Sequence, residues 1–377
     1  MNPIVYAIPV FMVTILLEAW VAHRRGIATY DVADALTSLN FGILSQVSGI
    51  FVRVLTFGIY VWVFEQLRLA TLPVDAWWVW IGALLAYDFI YYWVHRFGHE
   101  VNLFWAAHQV HHSSEYFNLS TALRQTATGA FTSWPFYLPM ALLGVPPAVF
   151  GTVALIDLLY QYWVHTELVR KLGWVDRVFV TPSNHRVHHG QNDYCIDRNY
   201  GGIFIVWDRL FGTFAEERDD EPVVYGIRKP LASYNPVWGN LNVYREIIMK
   251  SRDAGSLLGA LRTWFDPPAG RGTTLPHLDP STVRRFTTAT SPQLRGYALI
   301  QYALLAVATT YFLAVAPALD IEQRVAFAAA IVISTLAIGW LLEGRRLARR
   351  FEMLRWALIA AGLLSLTPVF SAAAPMA

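Results

Sequence analysis

The chain has 377 residues, of which 55% are hydrophobic and 15% are charged, and its mean hydropathy is +0.37. This apolar share exceeds that of an ordinary soluble domain, so much of the surface is expected to face lipid. The formal net charge of +2 gives no reason to expect a nucleic-acid partner, because such binding needs a concentrated basic face. The single cysteine excludes an intramolecular disulfide and a CxxC motif.

Several apolar stretches are long enough to cross a hydrocarbon core, which takes roughly 20 helical residues. The first lacks a basic leader and a small-residue cleavage site, so it is expected to be a retained helix. The segment from Gly144 to Pro147 ends in two prolines, which cannot continue a regular helix. This break predicts two helices joined as a hairpin. The predicted spans are Pro3 to Val21, Phe41 to Phe64, Ala76 to Val94, the two halves of Thr128 to Val164, Tyr297 to Ala316, Val325 to Leu342 and Leu354 to Phe370.

Basic residues predict how these helices are oriented, because short cytoplasmic loops carry excess Lys and Arg. Arg24, Arg25 and the run from Arg345 to Arg350 are therefore expected on the cytoplasmic side. Threading the helices between these anchors places the N-terminus and the loops near Pro73 and Asp320 outside. The same threading puts the histidine-rich loops inside.

The expected fold is therefore all-α: a multi-pass transmembrane protein with a cytosolic, histidine-rich cap that holds two metals. Four regions are predicted. Residues 1–75 are N-terminal transmembrane helices, and residues 76–230 are the catalytic region. Residues 231–292 are a cytosolic polar segment, and residues 293–377 are C-terminal transmembrane helices.

Histidine placement indicates the chemistry. Residues at i, i+3 and i+4 share one helix face, so each histidine box would aim its imidazoles at a common point. Imidazole is the commonest metal ligand and suits iron, zinc or copper. Nine of the eleven histidines fall in this region: His95 and His99 in HRFGH, His108, His111 and His112 in HQVHH, His165, and His185, His188 and His189 in HRVHH. A tetrahedral site is complete with four ligands, so nine predict two metals with four or five imidazoles each.

The order HxxxH, HxxHH, HxxHH on a chain with surrounding transmembrane helices resembles the fatty acid hydroxylase and sterol desaturase superfamily of membrane di-iron enzymes. The wider strings resemble the pterin-dependent branch that cleaves ether lipids. This resemblance covers roughly residues 76 to 230. It rests on the strings HRFGHEVNLFWAAHQVHHSSEYFNLSTALRQ, QYWVHTE, TPSNHRVHHGQNDYCIDRNYGG and WDRLFGTF.

The resemblance implies a membrane monooxygenase that binds two iron ions and uses dioxygen to hydroxylate a lipid C–H bond, at the O-alkyl carbon of an ether lipid. It implies tetrahydrobiopterin, or another external electron donor or redox partner, since no flavin or haem motif is present. The sequence leaves the oligomeric state open. The implied metal ligands are the eight box histidines with His165 as the ninth. His23 and His277 lie outside these motifs.

Two aspartates are expected to support the histidines from the apolar spans. Asp88 precedes His95 by two helical turns, and Asp157 lies eight residues before His165. A carboxylate within an apolar span is costly unless it is paired, and metal-bound imidazoles need a partner for the other ring nitrogen. Both are therefore predicted to act behind the ligands, although buried hydrogen bonding unrelated to metal also explains them.

Further polar residues adjoin the histidine boxes. Glu100, Glu115 and Asn118 are candidates for binding cofactor or substrate, with solvated or loop-anchoring side chains as the alternative. Asn192 and Asp193 follow the third box and are expected to support the ligands or line a headgroup pocket.

Three functions compete at this stage. The first is an ether-lipid monooxygenase, and the second is a hydroxylase or desaturase of a sterol, carotenoid or fatty acyl lipid. The third is a non-enzymatic metal-binding membrane protein or metal transporter. Transporters place polar ligands at mid-membrane on broken helices, whereas these boxes lie at predicted cytoplasmic helix ends, which favours an oxygenase.

Overall fold

The computed structural model describes residues 3–357, and its regular structure is helical. No extended strand forms within that range, where only two isolated β-bridges occur. The expected all-α fold is thus confirmed, and residues 348–357 continue it as a helix. The helices are α1 (Pro3–Arg25), α2 (Val32–Leu67), α3 (Trp77–Glu100), α4 (Asn102–His112), α5 (Leu119–Ala122), α6 (Leu138–Leu142), α7 (Pro147–Trp163), α8 (Pro182–His188), α9 (Val206–Phe211), α10 (Pro236–Arg252), α11 (Leu257–Phe265), α12 (Pro292–Val315) and α13 (Ile321–Leu342).

Four helices of the described chain are long and apolar enough to cross a membrane: α1, α2, α12 and α13. Apolar side chains on three of them face outward, since Leu16 is 70% exposed, Val54 73% and Val307 71%. Lipid is the environment in which such a surface carries no hydrophobic penalty. The spans predicted in these four regions are confirmed. The predicted last span, Leu354 to Phe370, falls almost entirely outside the described residues.

The predicted hairpin between Thr128 and Val164 is only half right. Its second limb is α7, but the first limb contains two short 3₁₀ turns followed by α6. Pro135 lies in one of these turns and Pro139 in α6. Proline has no backbone N–H to donate and clashes with the preceding turn, so a continuous helix does not form. The prediction of a membrane-spanning first limb was therefore wrong.

α3 and α7 form the scaffold of the histidine region and pack against each other. Both were predicted as membrane spans, α3 as Ala76 to Val94 and α7 as the second half of Thr128 to Val164, but neither meets the length and hydropathy that mark the four candidate spans. α3 has 24 residues but carries Asp88, Arg96 and Glu100 as well as two histidines, and α7 has only 17 residues. Asp88 of α3 and Asp157 of α7 are buried, so these two polar groups face the protein interior.

α3 and α4 meet at a sharp corner that brings two histidine boxes together. Val101 alone separates them and has an extended backbone, so the chain changes direction within one residue. Gly98 makes the close approach possible, because a β-carbon there would lie 3.3 Å from the His108 ring. The corner is held by Asn102, whose backbone N–H donates to the Asp266 carbonyl at 3.0 Å.

A buried ion pair ties α2 to the segment after α5. An Arg124 guanidinium nitrogen lies 2.8 Å from an Asp34 carboxylate oxygen, and both side chains are buried. Ser114 also donates to Asp34, at 2.5 Å. The Arg124 backbone carbonyl in turn accepts a hydrogen bond from His111. A membrane helix is thereby linked to the histidine region.

We expect Arg124→Met to lower the free energy of unfolding by about 3–5 kcal/mol, because it leaves the buried Asp34 carboxylate without its counterion. Combining it with Asp34→Leu should restore much of that loss, because both charges are then removed. Thermal unfolding in detergent would measure the effect. A double variant no more stable than the single variant would contradict the prediction.

Candidate metal centre

The structure brings all nine predicted histidines together in two groups. Within each group, one ring nitrogen from every member lies within 4.8 Å of the others. The division crosses the sequence boxes, since each of the second and third boxes contributes to both groups. The first group is His95, His99, His108, His112 and His188, and the second is His111, His165, His185 and His189.

Four chain segments supply these rings. α3 carries the first box at i and i+4, and α4 carries the second at i, i+3 and i+4. His165 follows the end of α7, and α8 with its C-terminal cap residue carries the third box. α8 begins at a capping box in which Thr181 and Asn184 each bond the other's backbone. The ligand set therefore depends on tertiary packing and on local helix geometry.

In the second group, hydrogen bonds determine which ring nitrogens face inward. His111 Nδ1–H donates to the Arg124 carbonyl at 3.1 Å, and His165 Nδ1–H donates to the Gln161 carbonyl at 2.7 Å. A carbonyl only accepts, so both Nε2 atoms carry lone pairs. These two Nε2 atoms are 3.2 Å apart. Two lone pairs at that distance repel unless a cation lies between them.

The remaining distances in the second group follow the same pattern. The Nε2 atoms of His165 and His185 are 3.0 Å apart, and those of His185 and His189 are 3.2 Å apart. With metal–nitrogen bonds of about 2.1 Å, adjacent ligands at a right angle would be roughly 3.0 Å apart. The nitrogen spacing therefore fits one metal ion.

The first group has five members and a similar spacing. His108 Nε2 lies 2.9 Å from His95 Nε2 and 3.0 Å from His112 Nε2. The Nε2 atoms of His99 and His188 are buried and have no hydrogen-bond partner among the described residues. Unpaired buried nitrogens are costly, and coordination to a metal would satisfy them. The donor set fits a second ion, and all-imidazole coordination suits iron.

Burial favours the neutral form of several of these rings. Burial is the main cause that lowers the pKa of His112, His185 and His188 well below the usual value, and neighbouring imidazoles lower it further. The pKa of His111 falls to about 4, again mainly through burial. Neutral imidazole is the form that binds metal, so no proton has to leave these nitrogens near neutral pH.

A loop after the third box orients two ligands of the first group. His95 Nδ1–H donates to the Tyr200 carbonyl at 2.8 Å, and His188 Nδ1–H donates to the Arg198 carbonyl at 2.9 Å. The loop is held by Asp208, whose carboxylate accepts from the Tyr200 backbone N–H at 2.7 Å. Asp208 therefore acts on these histidines indirectly, by holding the loop whose carbonyls orient them. The sequence did not reveal this role.

Asp88 supports the same loop. Its carboxylate accepts from the backbone N–H groups of Ile203 and Phe204, at 2.6 and 3.2 Å, and from the Trp207 indole at 2.8 Å. It forms no hydrogen bond with a histidine in the described structure. Its influence on the ligands therefore passes through the loop, rather than directly to a ring nitrogen as the sequence suggested.

Asp157 also supports a histidine indirectly, through Gln161. One of its oxygens accepts from the Gln161 side-chain amide at 2.6 Å, and the Gln161 backbone carbonyl anchors His165. The two aspartates converge on Gly202, where a β-carbon would lie 2.7 Å from an Asp88 oxygen and 2.6 Å from an Asp157 oxygen. Only glycine fits between them.

Two predicted supporting residues lie farther out. The Asn192 side chain donates to Glu221 and accepts from the Val224 backbone, so it pins a loop of the cap. Asp193 is paired at the surface with Arg228 and His277. Hydrogen bonds from Arg228 and then from His277 lower the pKa of Asp193 to about 2. Neither side chain hydrogen-bonds a box histidine.

The three residues predicted to bind cofactor or substrate lie apart from one another. Glu100 is paired with Arg96 at 2.9 Å and lines a cavity beside the first histidine group. Glu115 accepts from the backbone N–H of Phe286, and burial is the main cause that raises its pKa. Asn118 is fully buried and caps α5 while donating to the Thr29 carbonyl at 2.7 Å. The polar atoms of Asn118 are thus used by the fold.

A buried ion pair that sequence reasoning missed holds α8. Arg186 contacts Glu217 through two nitrogens, at 2.6 and 2.7 Å, and donates to the carbonyls of Thr166 and Val169. The pair fastens the third box to the segment that carries His165. An arginine inside a histidine box was visible in the sequence, but its distant partner was not.

Two cavities reach the histidines from different sides and share no lining residue. The apolar cavity is so named because Asp157 is the one charged side chain among its described lining residues; it has a volume of about 350 Å³, lies among α1, α2, α7 and α12 and reaches His108, His111 and His165. The polar cavity is so named because several charged side chains line it; it has a volume of about 620 Å³, lies against α10 and reaches His99, His112 and His188. The two groups of rings therefore separate a space with one charged lining residue from a space with several.

His165→Ala removes one ligand from the second group and leaves the first group complete. We expect about half of the bound metal to be lost relative to the unaltered protein. Metal analysis after native purification measures this directly. His23→Ala is the matched control, since His23 is exposed and lies outside both groups. Unchanged metal content in His165→Ala would exclude His165 as a ligand.

Asp208→Asn should weaken metal binding by about 10- to 100-fold, the usual effect of losing a group that orients ligands. The new amide would direct a donor toward the backbone N–H groups of the loop, which displaces the carbonyls behind His95 and His188. Competition with a chelator would measure affinity. Asp219→Asn, at an exposed aspartate, is the control, and equal affinities would contradict the assignment.

Comparison with known proteins identifies the family. The fatty acid hydroxylase family model matches residues 80–213, the region that contains all nine histidines. Alkylglycerol monooxygenase of Homo sapiens is 38% identical over 369 residues, covering 93% of this chain and 80% of that protein. The Danio rerio protein of the same name is 38% identical over 371 residues, covering 94% and 80%.

A third relative has the same name. The alkylglycerol monooxygenase of Xenopus tropicalis is 45% identical over 226 residues, covering 60% of this chain and 50% of that protein. No solved structure matches. The resemblance that the sequence motifs suggested is confirmed over nearly the whole chain. The chain therefore belongs to the alkylglycerol monooxygenase family, within the fatty acid hydroxylases.

Proposed function

We propose that this protein is a membrane di-iron monooxygenase that hydroxylates the O-alkyl carbon of an ether lipid. One observation carries the proposal: nine imidazoles form two adjacent groups between an apolar cavity and a polar one. Relatives named alkylglycerol monooxygenase support the choice of substrate. The chemistry that iron supplies there is the activation of dioxygen.

The apolar cavity would hold the alkyl chain. Its walls include Ile8 and Met12 of α1, Ile43 of α2, and Ala306 and Leu313 of α12. The α12 residues on this wall extend from position 302 to position 313, about 16 Å at 1.5 Å per residue. An extended apolar chain can lie along this wall with one end at the histidines. The cavity also excludes bulk water from the reacting carbon.

The polar cavity would admit the electron donor. It reaches the first histidine group beside Trp105 and Glu100, and Arg228 and Lys250 also line it. A flat, hydrogen-bonding donor such as tetrahydrobiopterin suits an aromatic side chain next to a carboxylate. Glu100 is the residue we assign to donor binding. Entry from this side leaves the apolar cavity free for the lipid.

The proposed reaction is balanced in atoms and electrons. One oxygen atom of dioxygen enters the C–H bond, and the other leaves as water with two electrons and two protons from the donor. A hydroxyl group on the carbon next to an ether oxygen makes a hemiacetal. The hemiacetal then breaks into an aldehyde and a glycerol.

The histidine groups are proposed to face the cytoplasm. The basic residues Arg24 and Arg25 end α1, and Arg345 to Arg350 follow α13. Both positions suit the cytoplasmic excess of basic residues in membrane proteins. A soluble cytoplasmic reductant could then reach the polar cavity directly.

Purified protein loaded with iron, supplied with tetrahydrobiopterin and hexadecylglycerol ether in nanodiscs, should consume oxygen and release a fatty aldehyde. Mass spectrometry of the aldehyde and an oxygen electrode measure this turnover. Loss of ligands should abolish it, so His188→Ala is the matched inactive variant and His23→Ala the active control.

The outcomes distinguish the competing functions. Hydroxylation of a sterol, carotenoid or fatty acyl lipid, with the ether lipid untouched, would replace the proposed substrate. Bound zinc with no oxygen consumption, even after replacement by iron, would contradict an oxygenase. Oxygen consumption without tetrahydrobiopterin, sustained by another donor, would reassign the reductant only.

A further inference from the structure

The apolar cavity has a polar end beside the histidines. Tyr91 of α3 and Asp157 and Gln161 of α7 all line it, together with His108 and His165. Most other walls are aliphatic or aromatic. Burying polar groups is costly unless they are paired, so the partners of these three side chains decide how much hydrogen-bonding capacity is left for a ligand.

These three side chains form one connected chain. The Tyr91 hydroxyl donates to the Gln161 side-chain oxygen at 2.7 Å, and the Gln161 side-chain nitrogen donates to Asp157 at 2.6 Å. The bonds fix the orientation of the amide. They leave one Gln161 N–H and the Tyr91 oxygen lone pairs available for another partner.

The chain lies next to both groups of histidines. The Gln161 carbonyl accepts from His165, a member of the second group, at 2.7 Å. The centre of the Tyr91 ring lies 5.2 Å from that of His95, a member of the first group. A ligand bonded to Tyr91 and Gln161 would be held beside the position of the reaction.

The charge of the cavity restricts that ligand. Among the described residues that line it, none is Lys or Arg, and Asp157 is the one carboxylate. A phosphate or carboxylate head would be buried there without a counterion, which is strongly unfavourable. A hydroxyl group, in contrast, can donate to Tyr91 and accept from Gln161 in the same position.

We propose that Tyr91, Gln161 and Asp157 recognise the free hydroxyl groups of an uncharged lipid head and so hold the adjacent ether carbon at the metals. This inference rests on the proposed ether-lipid monooxygenase function. Tyr91 and Gln161 touch the substrate, and Asp157 is a positioning residue that orients the Gln161 amide. The hydrocarbon tail then extends away from the histidines along α1 and α12.

The test compares two ethers that carry the same reactive carbon. One is hexadecylglycerol ether, and the other is hexadecyl propyl ether, which lacks both hydroxyl groups. Iron-loaded full-length protein should favour the glycerol ether in kcat/KM by about 100-fold or more, because sites built to bond a hydroxyl strongly reject an analogue without one.

Gln161→Leu and Tyr91→Phe should each reduce that preference by about tenfold or more. They should act by lowering kcat/KM for the glycerol ether, while oxidation of the propyl ether and the iron content stay close to those of the unaltered protein. Gln46→Leu is the matched control. Gln46 lines the same cavity on α2 but is not hydrogen-bonded to the chain, so the preference between ethers should not change.

The possible results distinguish a failure of hydroxyl recognition from a failure of the proposed function. Turnover of both ethers with a preference unaffected by Gln161→Leu and Tyr91→Phe would overturn hydroxyl recognition and leave the proposed function intact. Absence of turnover of either ether by the unaltered, iron-loaded protein would overturn both. Loss of preference with retained iron and retained propyl ether oxidation supports the inference.

Discussion

The structure depends on a set of buried imidazoles that face one another. Where two rings both donate Nδ1–H to carbonyls, as His111 and His165 do, their Nε2 lone pairs meet 3.2 Å apart. Hydrogen bonding cannot relieve that contact, but a bound cation can. The nine rings, of which His99 and His108 are only partly buried, form two groups that could each hold a cation. The surrounding helices must therefore keep the ring nitrogens aimed inward.

Much of the surrounding polar structure serves this aim. Carbonyl groups of Tyr200, Arg198, Arg124 and Gln161 orient four of the rings. Each carbonyl belongs to a segment that a buried charged or polar side chain holds in place. Asp88 and Asp208 hold the loop of the first group. The orientation of these rings therefore depends on groups that belong to neither histidine group.

Separation of the two cavities matches the chemistry of a lipid oxygenase. A hydrocarbon tail and a water-soluble electron donor need different surroundings, and one shared entrance would expose the reacting carbon to water. Here the apolar cavity lies between membrane helices, and the polar one lies under the cap. The histidines occupy the boundary between them, where a lipid tail and an electron donor would meet under the proposed function. This arrangement also explains why α3 and α7 carry polar residues on otherwise apolar helices.

The sequence by itself determined the helical class, the four candidate membrane helices and the identity of the nine histidines. Helical periodicity and apolar length are local properties of the sequence. Histidines that lie close together along the sequence can also be recognised without a structure. Sequence reasoning failed between Thr128 and Gly144, where Pro135 and Pro139 interrupt an apolar stretch that had the length of a span. Apolar length alone does not require a continuous helix.

Only the tertiary structure decided how the histidines divide. Neighbours in one box, His111 and His112, belong to different groups, because adjacent residues on a helix point about 100° apart. The partners of buried charges, such as Glu217 for Arg186 and Asp34 for Arg124, are also distant in sequence. The separation of the apolar and polar cavities likewise arises from the packing of helices far apart in the chain. These features depend on long-range contacts, which local sequence patterns do not reveal.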